Sequence, residues 1–315
     1  MSGYEQAAET AAAETLAVAE RRDPRRRRVG DMWWRHLVGL LAVGFSLFPV
    51  AYIVSAAFNS DPTLSGSSLI PRRVTLDNFR DLLSSEAKAG STFSAANYVR
   101  WFVNTLIVCS TAAVLMVLLS ALAAYAFSRF RFRGRRLGML ALLLIQMFPS
   151  LLLVVAIYLI LLHTGKVFPV IGLNTLTGLI VVYLGGAMGV NTWLMKGFFD
   201  TIPIELDESA RVDGATPAQI FWGVVLPLAL PVLAVIGLIS FISTLNEFVF
   251  ASVLLQSNEN FTLSVGLRGY IDQQYAEHWG PFAAGVLLAA IPVVILFQVF
   301  QRWLVAGLTG GAVKG

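Results

Sequence analysis

Runs of apolar residues, separated by short polar segments, organise this chain from residue 37 to residue 300. Six stretches stand out: Leu37–Phe58, Trp101–Phe127, Leu137–His163, about Leu176–Met195, about Ile220–Leu245 and Pro281–Phe300. Each reaches the roughly 20 residues a helix needs to cross a hydrocarbon core about 30 Å thick. The pattern predicts an all-α integral membrane protein with six transmembrane helices. Two regions follow: an Arg-rich segment over residues 1–32, interrupted by Pro24, and a transmembrane domain over 33–315 that ends in a tail at 301–315.

Composition supports the bilayer as solvent. The 315 residues are 57% hydrophobic and 13% charged, with a mean hydropathy of +0.71, where a soluble domain has about 45–50% apolar and about 25% charged residues. An ordinary cytosolic enzyme and a disordered chain are both excluded. The lone cysteine, Cys109, lies in an apolar run and forms no internal disulfide, so it reads as a small buried hydrophobe.

Net charge is +4 with pI 9.4, and the placement of the 23 basic residues gives that charge its meaning. Seven precede the first span (Arg21, Arg22, Arg25 to Arg28 and Arg35), five separate the second from the third (Arg129, Arg131, Arg133, Arg135 and Arg136), and the loop after the third has only Lys166. Basic loops stay cytoplasmic, which places both termini in the cytoplasm. Arg72, Arg73, Arg80, Lys88 and Arg100 in the long first outer loop are tolerated, because long loops translocate largely regardless of charge. The basic residues are thus topology signals that can also touch anionic lipid, and no nucleic-acid partner is expected. Val54-Ser55-Ala56 resembles a signal-peptide cleavage site, but the 22 uncharged residues of the first stretch exceed an ordinary signal core.

Intramembrane charge ordinarily marks ion or proton pathways. Here the spans hold weak polar groups instead, and the candidate cavity residues are Gln146, Asn191, Ser243, Asn246 and Glu247. Glu247 is the one acid at membrane depth and is expected near a helix break or lining a cavity. His36, His163 and His278 lack metal-ligand spacing, so no metal site is expected. The phosphate loop G-x-x-x-x-G-K-[ST] is missing: Gly165-Lys166 is followed by Val167 and has no glycine five positions earlier. If transport is ATP-driven, hydrolysis takes place on another chain docked to an inner loop.

The loop between spans four and five, about 200–227, is the most informative segment. Thr201 is expected to cap a short helix with Pro203 in its first turn and Glu205 near the positive end of its dipole. Gly214 stops that helix, and Thr216-Pro217-Ala218-Gln219 is a capping box that opens the next one. On the short helix Leu206, Ser209, Ala210 and Asp213 share a face suited to a groove on another protein. Asp200, Glu205, Asp207, Glu208 and Asp213 stand against Arg211, so a basic partner surface is expected.

Glu208-Ser209-Ala210, three residues, Gly214, nine residues and Val224-Val225-Leu226-Pro227 resemble the EAA signature of bacterial ABC importer permeases, E-A-A, x3, G, x9, I-x-L-P. Every spacing matches, with Ser209 for the first alanine and Val224 for isoleucine. Gln146 to Pro149, Ile171 to Thr175, Asp213 to Pro217, Leu226 to Leu228, Gln301 to Val305 and Gly307 to Gly315 narrow the resemblance to the MalG-type permeases of maltose/maltodextrin importers, from about residue 35 onward. The resemblance implies a type I importer fold in the bacterial inner membrane and a role as permease subunit for maltose, maltodextrin or trehalose. It implies a second, different permease, a homodimeric ABC ATPase that binds ATP and magnesium, and an extracytoplasmic sugar-binding protein. No cofactor would be held by this chain. Glu208, Ser209, Ala210, Asp213, Gly214, Leu226 and Pro227 would form the coupling element in the ATPase cleft. The tail residues Gly310, Gly311, Lys314 and Gly315 would reach the ATPase interface, and the outer loop at about 256–280 would meet the binding protein. The sugar site would lie mainly in the partner permease. The rival reading is a self-contained secondary sugar carrier, with Glu247 as the plausible coupling-ion anchor.

Overall fold

The computed structural model describes residues 33–60, 70, 71, 73–83, 95–271 and 278–312, and the chain divides into two units, Met1–Tyr52 and Ile53–Gly315. The Arg-rich segment 1–32, the tail residues Lys314 and Gly315, and part of the outer loop lie outside the described residues. Helix α1, Trp33–Phe58, runs across the boundary between the units. Its residues 33–51 in the first unit are exposed and mostly apolar, while Ser55, Ala56 and Ala57 in the second unit are buried.

The second unit continues with α2 (Asp77–Leu83), α3 (Ala95–Arg129), α4 (Arg135–Gln146), α5 (Ser150–Val167), α6 (Leu176–Phe199), α7 (Ile204–Val212), α8 (Pro217–Leu228), α9 (Leu230–Leu245), α10 (Val249–Leu254), α11 (Leu263–Arg268) and α12 (Trp279–Ala312). Among the described residues four helices are long and apolar enough to cross a membrane: Trp33–Phe58, Asn97–Arg129, Ser150–Val167 and Trp279–Gln301. Two bent pairs, Leu176–Gly186 with Met188–Phe199 and Pro217–Leu228 with Leu230–Leu245, bring the number to six.

One expected span is corrected. Leu137–His163 is not a single helix, because it breaks at Met147-Phe148-Pro149 into α4 and α5. Proline has no N–H to continue the ladder of α4, and Pro149 takes an extended conformation as the residue that opens α5. The fifth span bends by 78° between α8 and α9. A wide turn at Phe221–Val225 precedes Pro227, and Pro231 opens α9, so both prolines sit where a regular N–H ladder is already interrupted.

Helix α3 is the axis of the packing, with α6 and α9 against its flanks. Apolar residues gain little from leaving lipid, so helices associate in membranes through close packing of small residues. Ala112, Ala113, Ser120, Ala121 and Ala124 on α3 are all buried and allow that approach. At its start α3 places Trp101 against Gly266 of α11, where an added Cβ would stand 2.2 Å from the indole ring. Trp101 Nε1 also donates to the carbonyl of Asn258 at 2.8 Å. The opposite end of α3 reaches the segment that joins α6, α7 and α8.

Candidate functional site

The α7 corner is built by three local signals. Thr201 does not cap α7, contrary to expectation. Its hydroxyl donates back to Phe198 O at 2.7 Å, and the helix starts two residues later with Pro203 as cap. Gly214 has φ +83, and around it Gly214 N donates to Arg211 O at 3.0 Å and Ala215 N to Ala210 O at 2.9 Å. These two bonds form a Schellman ending, which needs a left-handed residue at this position. Thr216 Oγ1 then accepts from Gln219 N at 3.3 Å while Thr216 N donates to Gln219 Oε1 at 2.8 Å, the reciprocal capping box.

On α7, Leu206, Ser209 and Asp213 of the expected face are exposed, while Ala210 is half-buried. Asp207 is fully buried and Ala210 turns toward the apolar cluster formed by Ala124, Tyr125, Phe199 and Ile220. Asp207 Oδ2 accepts from Arg129 Nε at 2.9 Å, and Arg129 Nη2 donates to Ile202 O at 3.0 Å. Both side chains of the ion pair are shielded, at 5% and 0% exposure. Tyr125, one turn earlier on α3, donates to Pro217 O at 3.3 Å on the other side of the corner. The last turn of α3 therefore holds the corner from both flanks. Asp200 is committed internally too, since Ser128 Oγ donates to it at 2.7 Å and Lys196 pairs with it. Burial works to raise its pKa, but the hydrogen bonds from Lys196 and Ser128 and the nearby charges of Lys196 and Arg135 hold the carboxyl below its ordinary value.

Three acids remain available to a partner: Glu205, Glu208 and Asp213. Ile204, Glu208 and Val212 follow one another at i, i+4 and i+8 along the outward side of α7, with Ile204 49% and Val212 89% exposed. Ser209 is exposed beside them and its hydroxyl is turned back to Glu205 O at 2.8 Å. Leu226 and Pro227 stand farther along, shaping the bend into the membrane. Gly310 and Gly311 continue the backbone of α12.

A cavity of about 600 Å³ lies at the break between α9 and α10, beside the break between α4 and α5. Gln146, Ser243, Thr244 and Glu247 line it together with Tyr183 and Phe250. Aromatic surface with a few convergent polar groups suits a small polar ligand such as a sugar. Glu247 Oε1 accepts from Phe250 N at 2.9 Å, and Oε2 accepts from Ala251 N at 3.2 Å and from Tyr183 Oη at 2.6 Å. That carboxylate caps α10 and fixes Tyr183. The other two expected cavity residues are elsewhere: Asn191 donates to Ser240 Oγ at 3.1 Å between α6 and α9, and Asn246 donates to Ile242 O at 3.0 Å. Asn191 is buried in the helix packing, whereas Asn246 is exposed and bonds back to its own helix.

The sequence pattern marks Arg129 only as a topology signal and does not point to Tyr125 or Tyr183. A basic residue closing an apolar span with an acidic loop later in the chain was the available signal for Arg129, and a tyrosine inside an apolar span was the one for Tyr183.

Residues 116–310 match the sequence pattern of the family described as "Binding-protein-dependent transport system inner membrane component". The chain is similar to the maltose/maltodextrin transport system permease protein MalG of Vibrio parahaemolyticus, 40% identical over 288 residues that cover 90% of this chain and 96% of that one. It is equally similar to the protein of that name from Escherichia coli K12, 40% identical over 284 residues covering 89% and 95%. Among solved structures, a chain of a bacterial ABC transporter involved in the import of the acidic polysaccharide alginate superposes with a TM-score of 0.70 at 26% identity, covering 88% of this chain and 97% of that one.

Proposed function

The chain belongs to the family of binding-protein-dependent transport system inner membrane components, and from that premise we propose that it is the MalG-like permease of an importer for a maltose-like oligosaccharide. It is a membrane permease subunit of an ABC transporter and not itself the enzyme. A homodimeric partner ATPase hydrolyses ATP with magnesium, a second and different permease completes the pathway, and an extracytoplasmic binding protein delivers the sugar. Both termini face the cytoplasm, on the side of α7.

The observation that carries this reading is the α7 corner, with an exposed Ile204, Glu208 and Val212 side and a buried side tied to α3 through Asp207 and Arg129. A helix held in this way transmits a displacement imposed from outside to the last turn of α3, and from there to α6 and α9 around the cavity. Closure of the ATPase pair and docking of loaded binding protein shift the permease only through their different affinities for its two states. Glu208 faces a basic cleft on the ATPase. The sugar passes the cavity at Gln146, Ser243, Thr244 and Glu247, with the main sugar contacts in the partner permease. The secondary-carrier alternative loses its anchor, since the Glu247 carboxylate accepts three hydrogen bonds within the chain.

Purification of the tagged chain from native membranes, followed by mass spectrometry, tests the reading. An ATPase, a second permease and a sugar-binding protein should accompany the wild type, with the ATPase reduced at least tenfold by Glu208→Lys. Recovery of the chain alone, still competent for transport after reconstitution, would overturn it.

A further inference from the structure

We propose that the loop between α3 and α4 is a binding site for one anionic phospholipid, its phosphate held by arginines and an acyl chain laid along α4. The sequence there is Phe130-Arg131-Phe132-Arg133-Gly134-Arg135-Arg136-Leu137. Gly134, at φ +88, turns the chain back so that Arg131 and Arg133 line one shallow pocket with Arg135, Arg136 and Leu137. Arg135 Nη2 donates to Ser128 O at 3.4 Å, which ties the pocket to the last turn of α3. Arg131, Arg133 and Arg136 are exposed and, among the described residues, form no salt bridge with any carboxylate. Guanidinium groups gathered without internal acids present a planar fork of donors that suits a phosphodiester.

Location and neighbours select a lipid over a soluble anion or a protein. The loop starts immediately after a membrane-spanning helix ends at Arg129, which sets the arginines at headgroup depth. Phe130 and Phe132 alternate with the arginines and, while packed on Tyr125 and Phe127 of α3, keep exposed apolar surface beside the guanidinium groups. Leaving the pocket, α4 exposes Leu137, Leu140 and Leu144 at i, i+3 and i+7. This stripe faces away from α6, because the opposite side of α4 brings Leu142 O to within 2.7 Å of a Cβ placed on Gly189. A charged pocket that opens onto an apolar stripe matches a molecule with an anionic head and a hydrocarbon tail. The inference rests on the membrane reading of the chain and is independent of the substrate carried.

The test titrates phosphatidylglycerol into the purified transporter complex and counts bound lipid by native mass spectrometry. Near an anionic surface each basic side chain is worth about fivefold in affinity, so Arg131→Gln with Arg133→Gln and Arg136→Gln should weaken phosphatidylglycerol binding roughly 100-fold. Phosphatidylcholine binding and the complement of partner subunits should stay unchanged. Replacement of the same three arginines by lysine should keep binding within about tenfold of wild type, and Leu137→Gln with Leu140→Gln should weaken it at least tenfold. Wild-type lipid binding in the glutamine variant overturns the proposal. So does displacement of the lipid by inorganic phosphate at similar concentration, which would mark a free-anion site, or loss of the ATPase with lipid binding intact, which would mark a protein-docking surface. If the glutamine variant fails to assemble, the leucine variant decides: unchanged lipid binding there refutes the site.

Discussion

Arg129→Gln should release α7 from α3 while leaving the membrane span of α3 in place. In the native chain Arg129 Nε lies 2.9 Å from Asp207 Oδ2, and Nη2 holds Ile202 O at 3.0 Å. The substitution strands the Asp207 carboxylate at 0% exposure without its cation, and Asp207 Oδ1 already lacks a hydrogen-bond partner among the described residues. Removing one partner of a buried ion pair costs about 3–5 kcal/mol. That energy belongs to the docking of α7, so the ratio of docked to undocked corner should fall roughly 100- to 5,000-fold. Hydrogen exchange at the amides of residues 206–214 in the assembled transporter reads this directly, and sugar-stimulated ATP hydrolysis should fall with it. The double variant Arg129→Met with Asp207→Leu removes both charges together and should recover most of the protection, because a well-packed apolar pair often replaces a buried ion pair at little cost. Native protection in Arg129→Gln, or a double variant as unprotected as the sum of the two single changes, would refute the buried pair as the link.

Other consequences follow from particular contacts. Gly266→Ala puts a methyl into the Trp101 ring, so overpacking of about 1–3 kcal/mol should appear as a lower Tm of the assembled complex, and an unchanged Tm would contradict this packing. Gly214→Ala forces a side chain into the left-handed region at φ +83 and should cost about 1 kcal/mol, read as faster exchange at the amides of positions 214 and 215. Because the folded-state pKa of Asp200 is depressed, its stabilising contribution is full above the unfolded-state value and disappears as pH falls through the folded-state value. Asp200→Asn should therefore lower stability at neutral pH, leave stability below the folded-state value little changed and so flatten the acid limb of the unfolding curve, and an identical acid limb would count against the network with Lys196 and Ser128. Tyr183→Phe removes the bond to Glu247 and should lower stability by about 1 kcal/mol while altering sugar uptake, since both residues line the cavity.

The parts of the fold legible in the sequence are those governed by neighbours a few positions away. The stop at Gly214 and the box between Thr216 and Gln219 are set by backbone conformation and by a three-residue spacing, and the structure has both. The apolar runs other than Leu137–His163 likewise match three of the long helices and the two bent pairs. What stayed hidden depends on distant pairing. Asp207 looked like one acid among five, and only the arrival of Arg129, 78 positions earlier, makes it a buried anchor instead of surface charge. Asn191 resembled a cavity residue until Ser240, 49 positions later, is seen to satisfy it. Pro149 was visible, but an uninterrupted apolar stretch concealed the break it makes between α4 and α5. Thr201 had a cap's chemistry, yet the carbonyl of Phe198 claims its hydroxyl first.

Uptake of radiolabelled maltodextrin into proteoliposomes containing the full complex, with binding protein outside and ATP inside, is the most direct test of coupling through α7. Uptake should require ATP and should fall at least tenfold when Glu208→Lys is introduced. Accumulation that persists without ATP, or that is undiminished in Glu208→Lys, would contradict the account.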